Sequence, residues 1–138
     1  MPLTNRSLGN QIENDFCNYL FSKGFWVHRI AQNSFGQPAD VIAVKDEKAY
    51  LIDCKACTSS GFRFSRMESN QEQAMELWER CGNGTGWFAV FTNKNFYMLS
   101  LQAIKPFLKT QSGFSNDEII KLGIPIKDWV DPLLEKPQ

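Results

Sequence analysis

The hexapeptide Tyr50-Leu51-Ile52-Asp53-Cys54-Lys55 decides how this chain folds. It starts as an apolar run of the kind found in buried strands, but it ends with a carboxylate and an ammonium group. The two-residue period of a strand puts Leu51, Asp53 and Lys55 on one face. Because burying a charge is costly unless a partner or a metal compensates, this ending predicts a functional site. The same Asp-x-Lys spelling at Asp46–Lys48 lies between two apolar runs and predicts only a solvated turn.

The hydrophobic pattern around this stretch predicts alternating helices and strands. The first three strands follow one another closely, which favours an antiparallel meander. The order indicates an α/β fold, with a mixed central sheet flanked by helices. The predicted elements are a helix over 7–23, strands over 25–31, 39–44 and 49–56, a helix over 69–81, strands over 86–92 and 96–101, and short helices over 102–109 and 116–122.

Composition narrows the class of protein. The 138 residues suffice for one domain with a real core, and 43% hydrophobic content argues against disorder. Fifteen basic and fifteen acidic residues cancel, so any nucleic-acid site would be a local patch. No apolar run approaches the roughly 20 residues needed to span a bilayer, so we expect a cytoplasmic protein without a membrane partner.

The cysteines allow a second interpretation. Cys54 and Cys57 form a C-x-x-C pair, which is compatible with redox chemistry or half of a zinc site. Cys17 and Cys81 stand alone on predicted helices, and His28 is the only histidine. Reduced, mostly buried thiols are the favoured interpretation, with zinc or a disulfide as the alternative.

Carboxylates form the most informative pattern. Asp40 opens the second strand, Asp53 ends the third, and Glu13 lies beside the apolar stripe of the first helix. Such oxygen ligands, without histidine or thiolate, favour Mg²⁺ or Mn²⁺. Lys55, on the same strand face as Asp53, could position a water molecule and offset charge on phosphate oxygens. A structural Asp53–Lys55 pair and a surface position for Glu13 are the alternatives.

The segment after the third strand suits a polyanion. Phe62-Arg63-Phe64-Ser65-Arg66 interleaves aromatic rings with guanidinium groups, which can meet bases and phosphates respectively. A partly buried loop with solvated arginines is the alternative. Ser69-x-x-Glu72 resembles a capping box for the next helix, whose first turn would direct Gln71 toward the strand end. The predicted buried stripe of that helix comprises Ala74, Leu77, Trp78 and Cys81.

Together these residues resemble the PD-(D/E)XK nuclease superfamily. Asp40, the Asp53-Cys54-Lys55 motif and Glu13 on the preceding helix carry the resemblance. Asn5-Arg6 and the 86–91 strand are similar to those of Holliday-junction resolvases, both RecU-type bacterial and archaeal-type. The resemblance implies a restriction-endonuclease-like αβββαβ core within a nuclease domain over 1–110, followed by an extension over 111–138 packed on the same domain.

By that resemblance the site residues have separate roles. Asp40, Asp53, Glu13 and the backbone carbonyl of Cys54 would bind the metal, with Glu13 acting directly or through water. Lys55 would be the catalytic lysine, and Gln71 would support the site. The expected DNA contacts are Arg6, Arg29, Ser34, Phe62, Arg63, Phe64 and Arg66.

The resulting hypothesis is a metal-dependent, structure-selective DNA endonuclease, acting on Holliday junctions as a homodimer. A dimer suits the symmetry of cutting a four-way junction twice. Another nuclease on the same scaffold, for repair, nicking or restriction-like cleavage, remains an alternative. So does a non-catalytic DNA-binding module on the same fold, although such a module would have no need for three clustered carboxylates and a lysine.

Overall fold

The computed structural model of the chain describes residues 5–31, 38–57 and 59–134. Ser34 lies outside these residues. For Arg6 the structure describes the backbone but not the side chain. The first helix, α1, spans Asn5–Ser22. Its buried stripe contains Ile12, Phe16 and Leu20, as the helical spacing predicts. Gly24 takes φ +90° directly after the helix, a conformation that favours glycine and ends the helix there.

A six-stranded mixed sheet forms the centre of the molecule. The order across the sheet is β1-β2-β3-β5-β6-β8, and the first three strands form the predicted antiparallel meander. Only β3 and β5 pair in parallel among the described strands, with α2 in the connection between them. The bounds are β1 Trp26–Arg29, β2 Val41–Lys45, β3 Lys48–Ala56, β5 Trp87–Thr92, β6 Asn95–Ser100 and β8 Ile124–Pro125.

Two tight hairpins set the register of this sheet. Asp46 and Glu47 have positive φ angles of 55° and 67°, and Asn93 and Lys94 have 50° and 60°. Two consecutive residues of this kind form the hairpin turn whose twist matches that of the flanking strands. Asp46 and Glu47 therefore form a turn, as predicted, and Lys48 begins β3, so the Asp-x-Lys spelling there has no part in the site.

Four further helices and a small ribbon surround the sheet. Strands β4 and β7, which are far apart along the chain, pair in antiparallel fashion to form a two-stranded ribbon. Short 3-10 turns cover Phe64–Arg66 and Lys105–Phe107. The other bounds are β4 Phe62–Arg63, α2 Ser69–Arg80, α3 Leu101–Ile104, β7 Gly113–Phe114, α4 Asn116–Leu122 and α5 Ile126–Leu134.

Helix α2 differs from the prediction in two ways. Its capping box uses Glu68 with Gln71, one residue earlier than the predicted Ser69–Glu72 pair. Met75 is buried, whereas Leu77 is 53% exposed and Cys81 is exposed as well. The helix thus turns a face containing Gln71 and Met75 toward the sheet, because Gln71 has a buried polar partner there.

The sheet separates two apolar cores. Ile52 faces the core beneath α1 and α5, while Leu51 faces the core beneath α2, in agreement with the alternation of β3. Residues after 110 contribute to both sides: Phe114 is buried in the α2 core, and Trp129 in the α1 core. No helix in the described ranges is both long and apolar enough to cross a bilayer.

Candidate metal and DNA site

Asp40 and Asp53 lie side by side because their strands are hydrogen-bonded neighbours. The backbone N–H of Asp40 donates to the carbonyl oxygen of Ile52 at 3.1 Å, which continues the β2–β3 ladder by one residue. Two residues further along β3, the N–H of Cys54 donates to the side-chain oxygen Oδ2 of Asp40 at 2.8 Å, and not to a backbone carbonyl. Both aspartates are buried. Their carboxyl groups are therefore close together and shielded from solvent near the C-terminal end of β3.

The carboxyl group of Asp53 is held from two sides. Gln71 Nε2 donates to Oδ1 at 3.0 Å, and Lys55 Nζ lies 3.0 Å from Oδ2. The Lys55 contact is an ion pair without hydrogen-bond alignment, so Oδ2 is buried with no hydrogen bond from the described residues. The geometry that the sequence predicted for Gln71 is confirmed.

Burial and the neighbouring carboxylate make Asp53 a weak acid. The pKa of Asp53 rises from 3.8 to about 8, chiefly because the carboxyl group is buried and next because of the negative charge of Asp40, while the Lys55 ammonium opposes the rise. Two carboxyl groups this close cannot both ionise readily without a cation. A divalent cation would relieve that repulsion.

Glu13 reaches the same cavity from α1, but it is paired in this structure. Glu13 Oε1 lies 3.1 Å from Arg29 Nη2, and the other guanidinium nitrogen of Arg29 donates to Asn14 Oδ1. Burial and Asp40 raise the pKa of Glu13, and Arg29 opposes them. Arg29, a predicted phosphate contact, thus binds a predicted metal ligand here. Asn14 is a second partner of Arg29 that the sequence pattern did not indicate, since one asparagine on a helix flank carries no signal.

The side chains of Glu13, Asp40 and Asp53 border one cavity of about 550 Å³. Gly9 forms part of its wall, and a Cβ added there would meet nothing within 4 Å, so glycine keeps this side of the cavity wide. The predicted site residues that line the cavity are Glu13, Asp40, Asp53, Cys54, Lys55, Arg63, Arg66 and Gln71.

The donor set fits a hard divalent cation. Asp40, Asp53 and Glu13 supply carboxylate oxygens, and the backbone of Cys54 faces Asp40, with its N–H and carbonyl on the same side of the strand. Within the described residues, no three histidine, cysteine or acidic side chains are already arranged to hold a metal. Glu13 would have to leave Arg29 to join the two aspartates.

The arginines of the predicted DNA-binding loop stand at the mouth of this cavity. Arg66 Nη1 donates to the carbonyl oxygen of Ala56 at 2.6 Å, and Arg63 Nη2 donates to Ser112 Oγ at 2.9 Å. Both arginines are exposed, and neither contact neutralises their charge. Arg63 and Arg66 therefore line the same cavity as the carboxylates, and Ser112 is a further neighbour that the sequence did not indicate.

Phe62 is a core residue, which corrects the expectation that it stacks on DNA, and Phe64 packs half-buried against the same core. Phe62 is fully buried, 5.7 Å from the ring of Phe88, and Phe64 is half-buried against Phe114 at 5.0 Å. Strand β4 pairs with β7, so that Phe62 points into the α2 core and Arg63 points out. Because consecutive side chains of a strand point to opposite faces, the ring of Phe62 and the guanidinium of Arg63 lie on opposite sides of β4.

All four cysteines are unpaired thiols. Burial raises the pKa of Cys17 and Cys57 to about 11 and that of Cys54 well above its ordinary value. Thiols with such high pKa values remain protonated and are poor metal ligands. The free thiols accord with reduced cysteines, but only Cys17 is buried: Cys54 and Cys57 are half-buried, and Cys81, which was predicted on a buried stripe, is exposed.

The chain resembles known proteins in sequence and in structure. The family model of archaeal Holliday junction resolvases, Hjc, matches residues 4–137, so the match includes the segment after residue 110. No curated protein matches the chain. Among solved structures, the Hjc Holliday junction resolvase of the hyperthermophile Archaeoglobus fulgidus has a TM-score of 0.69 at 16% identity, covering 91% of this chain and 99% of that chain. This structural likeness shows the same fold: a six-stranded mixed sheet with flanking helices.

Proposed function

Because the chain belongs to the archaeal Holliday junction resolvase family, we propose that it is a metal-dependent, structure-selective DNA endonuclease that resolves four-way junctions. As a member of this family, the protein is an endodeoxyribonuclease. The observation that carries the assignment of the site is the carboxyl group of Asp53. It is buried beside Asp40 and Lys55, with Oδ2 lacking a hydrogen bond among the described residues, in a cavity bordered by arginines.

In this proposal Asp40, Asp53 and Glu13 hold Mg²⁺ or Mn²⁺, together with the backbone carbonyl of Cys54. When bound, such a cation would polarise the scissile phosphate and lower the pKa of the attacking water. Gln71 keeps Oδ1 of Asp53 occupied and thereby leaves Oδ2 for the cation. Glu13 would have to give up its Arg29 partner to hold the cation, and the Arg29 guanidinium would then be available for a phosphate.

Lys55 acts on the phosphate side of the same cavity. Its side chain is only 13% exposed, and its ammonium carries three donors, of which Asp53 uses at most one. The remaining donors can orient the attacking water and stabilise charge on the non-bridging oxygens as the pentavalent phosphorus forms. Water adds to phosphorus, one P–O bond breaks, and the departing oxygen takes a proton.

Arg63 and Arg66, with Arg29 and Arg6, hold the DNA backbone in this proposal. The net charge is zero over the whole chain, so the exposed Arg63 and Arg66, which line the cavity, are the local positive charges that would attract phosphates. We propose a homodimer, because two sites related by a two-fold axis match the two strands that must be cut to resolve a junction. A DNA substrate also accords with a cytoplasmic location.

The proposal is tested with a labelled four-way junction, a flap and a linear duplex of the same sequence, in Mg²⁺, Mn²⁺ or EDTA. The parent should cut the junction preferentially and only with metal. Asp53→Asn and Lys55→Ala should each lower the cleavage rate by at least about a hundredfold, while junction binding in EDTA stays close to that of the parent.

Asp46→Asn and Lys48→Ala are matched controls, because they have the same Asp-x-Lys spacing in the turn of the same hairpin. Both should cut at the parent rate. Full cleavage by Lys55→Ala would refute the assignment of the lysine. Binding without cleavage under every metal condition would favour a DNA-binding module, and equal cleavage of the three substrates would favour another nuclease. Sedimentation of the protein alone and with the junction tests the homodimer.

A further inference from the structure

A ribbon ties the arginine loop at the cavity to a segment near the C-terminal end of the chain. In this ribbon Phe62 pairs with Phe114 and Arg63 pairs with Gly113. The N–H of Phe64 adds a hydrogen bond to the carbonyl oxygen of Ser112 at 2.9 Å. The loop that carries the proposed phosphate contacts thus takes its backbone conformation from residues about fifty positions later.

The backbones of the ribbon approach so closely that two glycines are required. A Cβ on Gly113 would lie 2.5 Å from the carbonyl oxygen of Phe62 and 2.9 Å from Arg63 Cα. Across the ribbon, Gly61 takes φ +79°, and a Cβ there would lie 2.1 Å from the carbonyl oxygen of Phe114. Because these neighbours are backbone atoms, they cannot move aside as a flexible side chain would.

The C-terminal side of the ribbon is itself firmly anchored. Gln111 Nε2 donates to the carbonyl oxygen of Gly113 at 2.8 Å and to Glu118 Oε2 at 3.2 Å. Glu118 and Ser115 form the capping box of α4. The ring of Phe114 is buried between those of Phe64 and Phe107, with centroids 5.0 and 5.1 Å away. The segment is therefore a fixed support rather than a loose tail.

One side-chain contact connects this support to the cavity. Ser112 Oγ accepts a hydrogen bond from Arg63 Nη2 at 2.9 Å, and Arg63 lines the cavity. A hydroxyl group directs the guanidinium without neutralising it, whereas a carboxylate at this position would compete with phosphate. An exposed arginine otherwise samples many rotamers, and ordering it before DNA arrives reduces the entropy lost on binding.

We propose that Ser112 and Gly113 are positioning residues for DNA binding, which hold Arg63 at the mouth of the cavity in the orientation that a phosphate needs. This inference rests on the proposed function, since it assumes that Arg63 contacts DNA. It assigns a role in substrate binding to the segment after residue 110.

The test measures the dissociation constant for a four-way junction in EDTA at several salt concentrations. Ser112→Ala should weaken binding about threefold, the effect of one modest hydrogen bond, with an unchanged salt dependence because the charge of Arg63 remains. Its cleavage rate at saturating junction and Mg²⁺ should equal that of the parent. The variant Ser112→Thr keeps the hydroxyl group and should bind the junction as tightly as the parent does.

Thr110→Ala is the matched control. Thr110 is an exposed hydroxyl residue two positions away, and its side chain donates to the carbonyl oxygen of Phe107 rather than to Arg63. It should bind the junction as the parent does. Gly113→Ala should weaken binding more than Ser112→Ala, provided that its circular dichroism spectrum is that of the parent; if it fails to fold, the Ser112 series decides.

A double-mutant cycle separates this inference from the proposed function. Arg63→Ala should weaken binding and reduce the salt slope by about one. Adding Ser112→Ala to Arg63→Ala should have no further effect, because the hydroxyl group acts through the guanidinium. Parent-like binding by Arg63→Ala would refute the DNA contact in the proposed function. A loss with Arg63→Ala but none with Ser112→Ala, or fully additive losses, would overturn the positioning role alone.

Discussion

The side-chain amide of Gln71 donates to Oδ1 of Asp53 at 3.0 Å, and both groups are buried. The N–H of Glu68 contacts Gln71 Oε1 at 3.4 Å, which leaves the amide nitrogen to face Asp53. This pair connects the first turn of α2 to the end of β3. It also leaves the second carboxylate oxygen of Asp53 beside Lys55, where a cation and a phosphate would meet.

Removing this amide should weaken metal binding more than it weakens the fold. In Gln71→Ala, Asp53 loses the side-chain amide that donates to Oδ1 and can rotate away from the orientation that a cation needs. Partners that orient metal ligands typically contribute about tenfold or more in affinity. We expect the Mg²⁺ concentration for half-maximal junction cleavage to rise by about tenfold, measured by titration at saturating DNA.

Gln73→Ala serves as the control for that substitution. Gln73 lies on the exposed side of the same helix, so its loss should leave the Mg²⁺ titration unchanged. An unaltered Mg²⁺ requirement in Gln71→Ala would show that the hydrogen bond does not position the ligand.

The metal-free protein should become less stable as the pH rises from about 4 to about 8. The folded state holds a proton on Asp53 up to a pKa of about 8, whereas the unfolded chain releases it near 3.8. The unfolded state therefore binds fewer protons across this window, and the free energy of unfolding falls as the pH rises. Glu13, whose pKa is also raised, contributes in the same direction.

Thermal unfolding in EDTA across this pH range provides the measurement. Asp53→Asn cannot ionise at this position and should lose most of the decline in melting temperature. Because ionised carboxylates favour a cation, Mg²⁺ should raise the melting temperature of the parent more at pH 8 than at pH 6. A melting temperature in EDTA that rises between pH 4 and pH 8 would contradict the assigned pKa direction.

Phe62→Ala should act on stability rather than on DNA stacking. Phe62 is fully buried against Phe88, and removing a buried phenylalanine ring costs about 3–5 kcal/mol. Urea denaturation should show a loss of this size. Phe21→Ala is the matched control, because Phe21 is 73% exposed and its truncation should change the free energy of unfolding very little. A stable Phe62→Ala variant with impaired DNA binding would restore the stacking role.

The cysteines should differ in reactivity toward a thiol reagent. Cys81 is exposed and should react rapidly in the native protein, and Cys81→Ser should remove that fast phase. Cys17 is buried with a pKa of about 11 and should react only when the protein unfolds. Burial lowers both the access of the reagent and the fraction of thiolate. Fast native reaction of Cys17, or a zinc ion released by the reagent, would contradict this interpretation.

Much of the candidate site followed from local patterns. Asp40 and Asp53 belong to adjacent strands joined by a two-residue turn, so their proximity depends only on strand alternation and a short hairpin. The helical spacing of α1 likewise fixed which side faces the core, and Glu13 beside that stripe reaches the same cavity. Such relationships are encoded over short stretches, where periodicity and turn residues are informative.

Other features depended on partners distant in the sequence. Phe62 belongs to the core because β4 pairs with β7, and that pairing cannot be anticipated from an aromatic–arginine alternation. Leu77 is exposed and Met75 buried because α2 packs on the sheet through the face that carries Met75 and Gln71, and Gln71 meets Asp53 there.

The sequence by itself therefore determined the acidic strand ends, the lysine and the α/β order, since these depend on local geometry. Only the tertiary structure decided which partner each charged group takes: Arg29 for Glu13, Gln71 for Asp53, and Ser112 for Arg63. The physical reason is that hydrophobic periodicity reports which face of an element is apolar. What covers that face, and which distant polar group meets it, depends on how whole elements pack together.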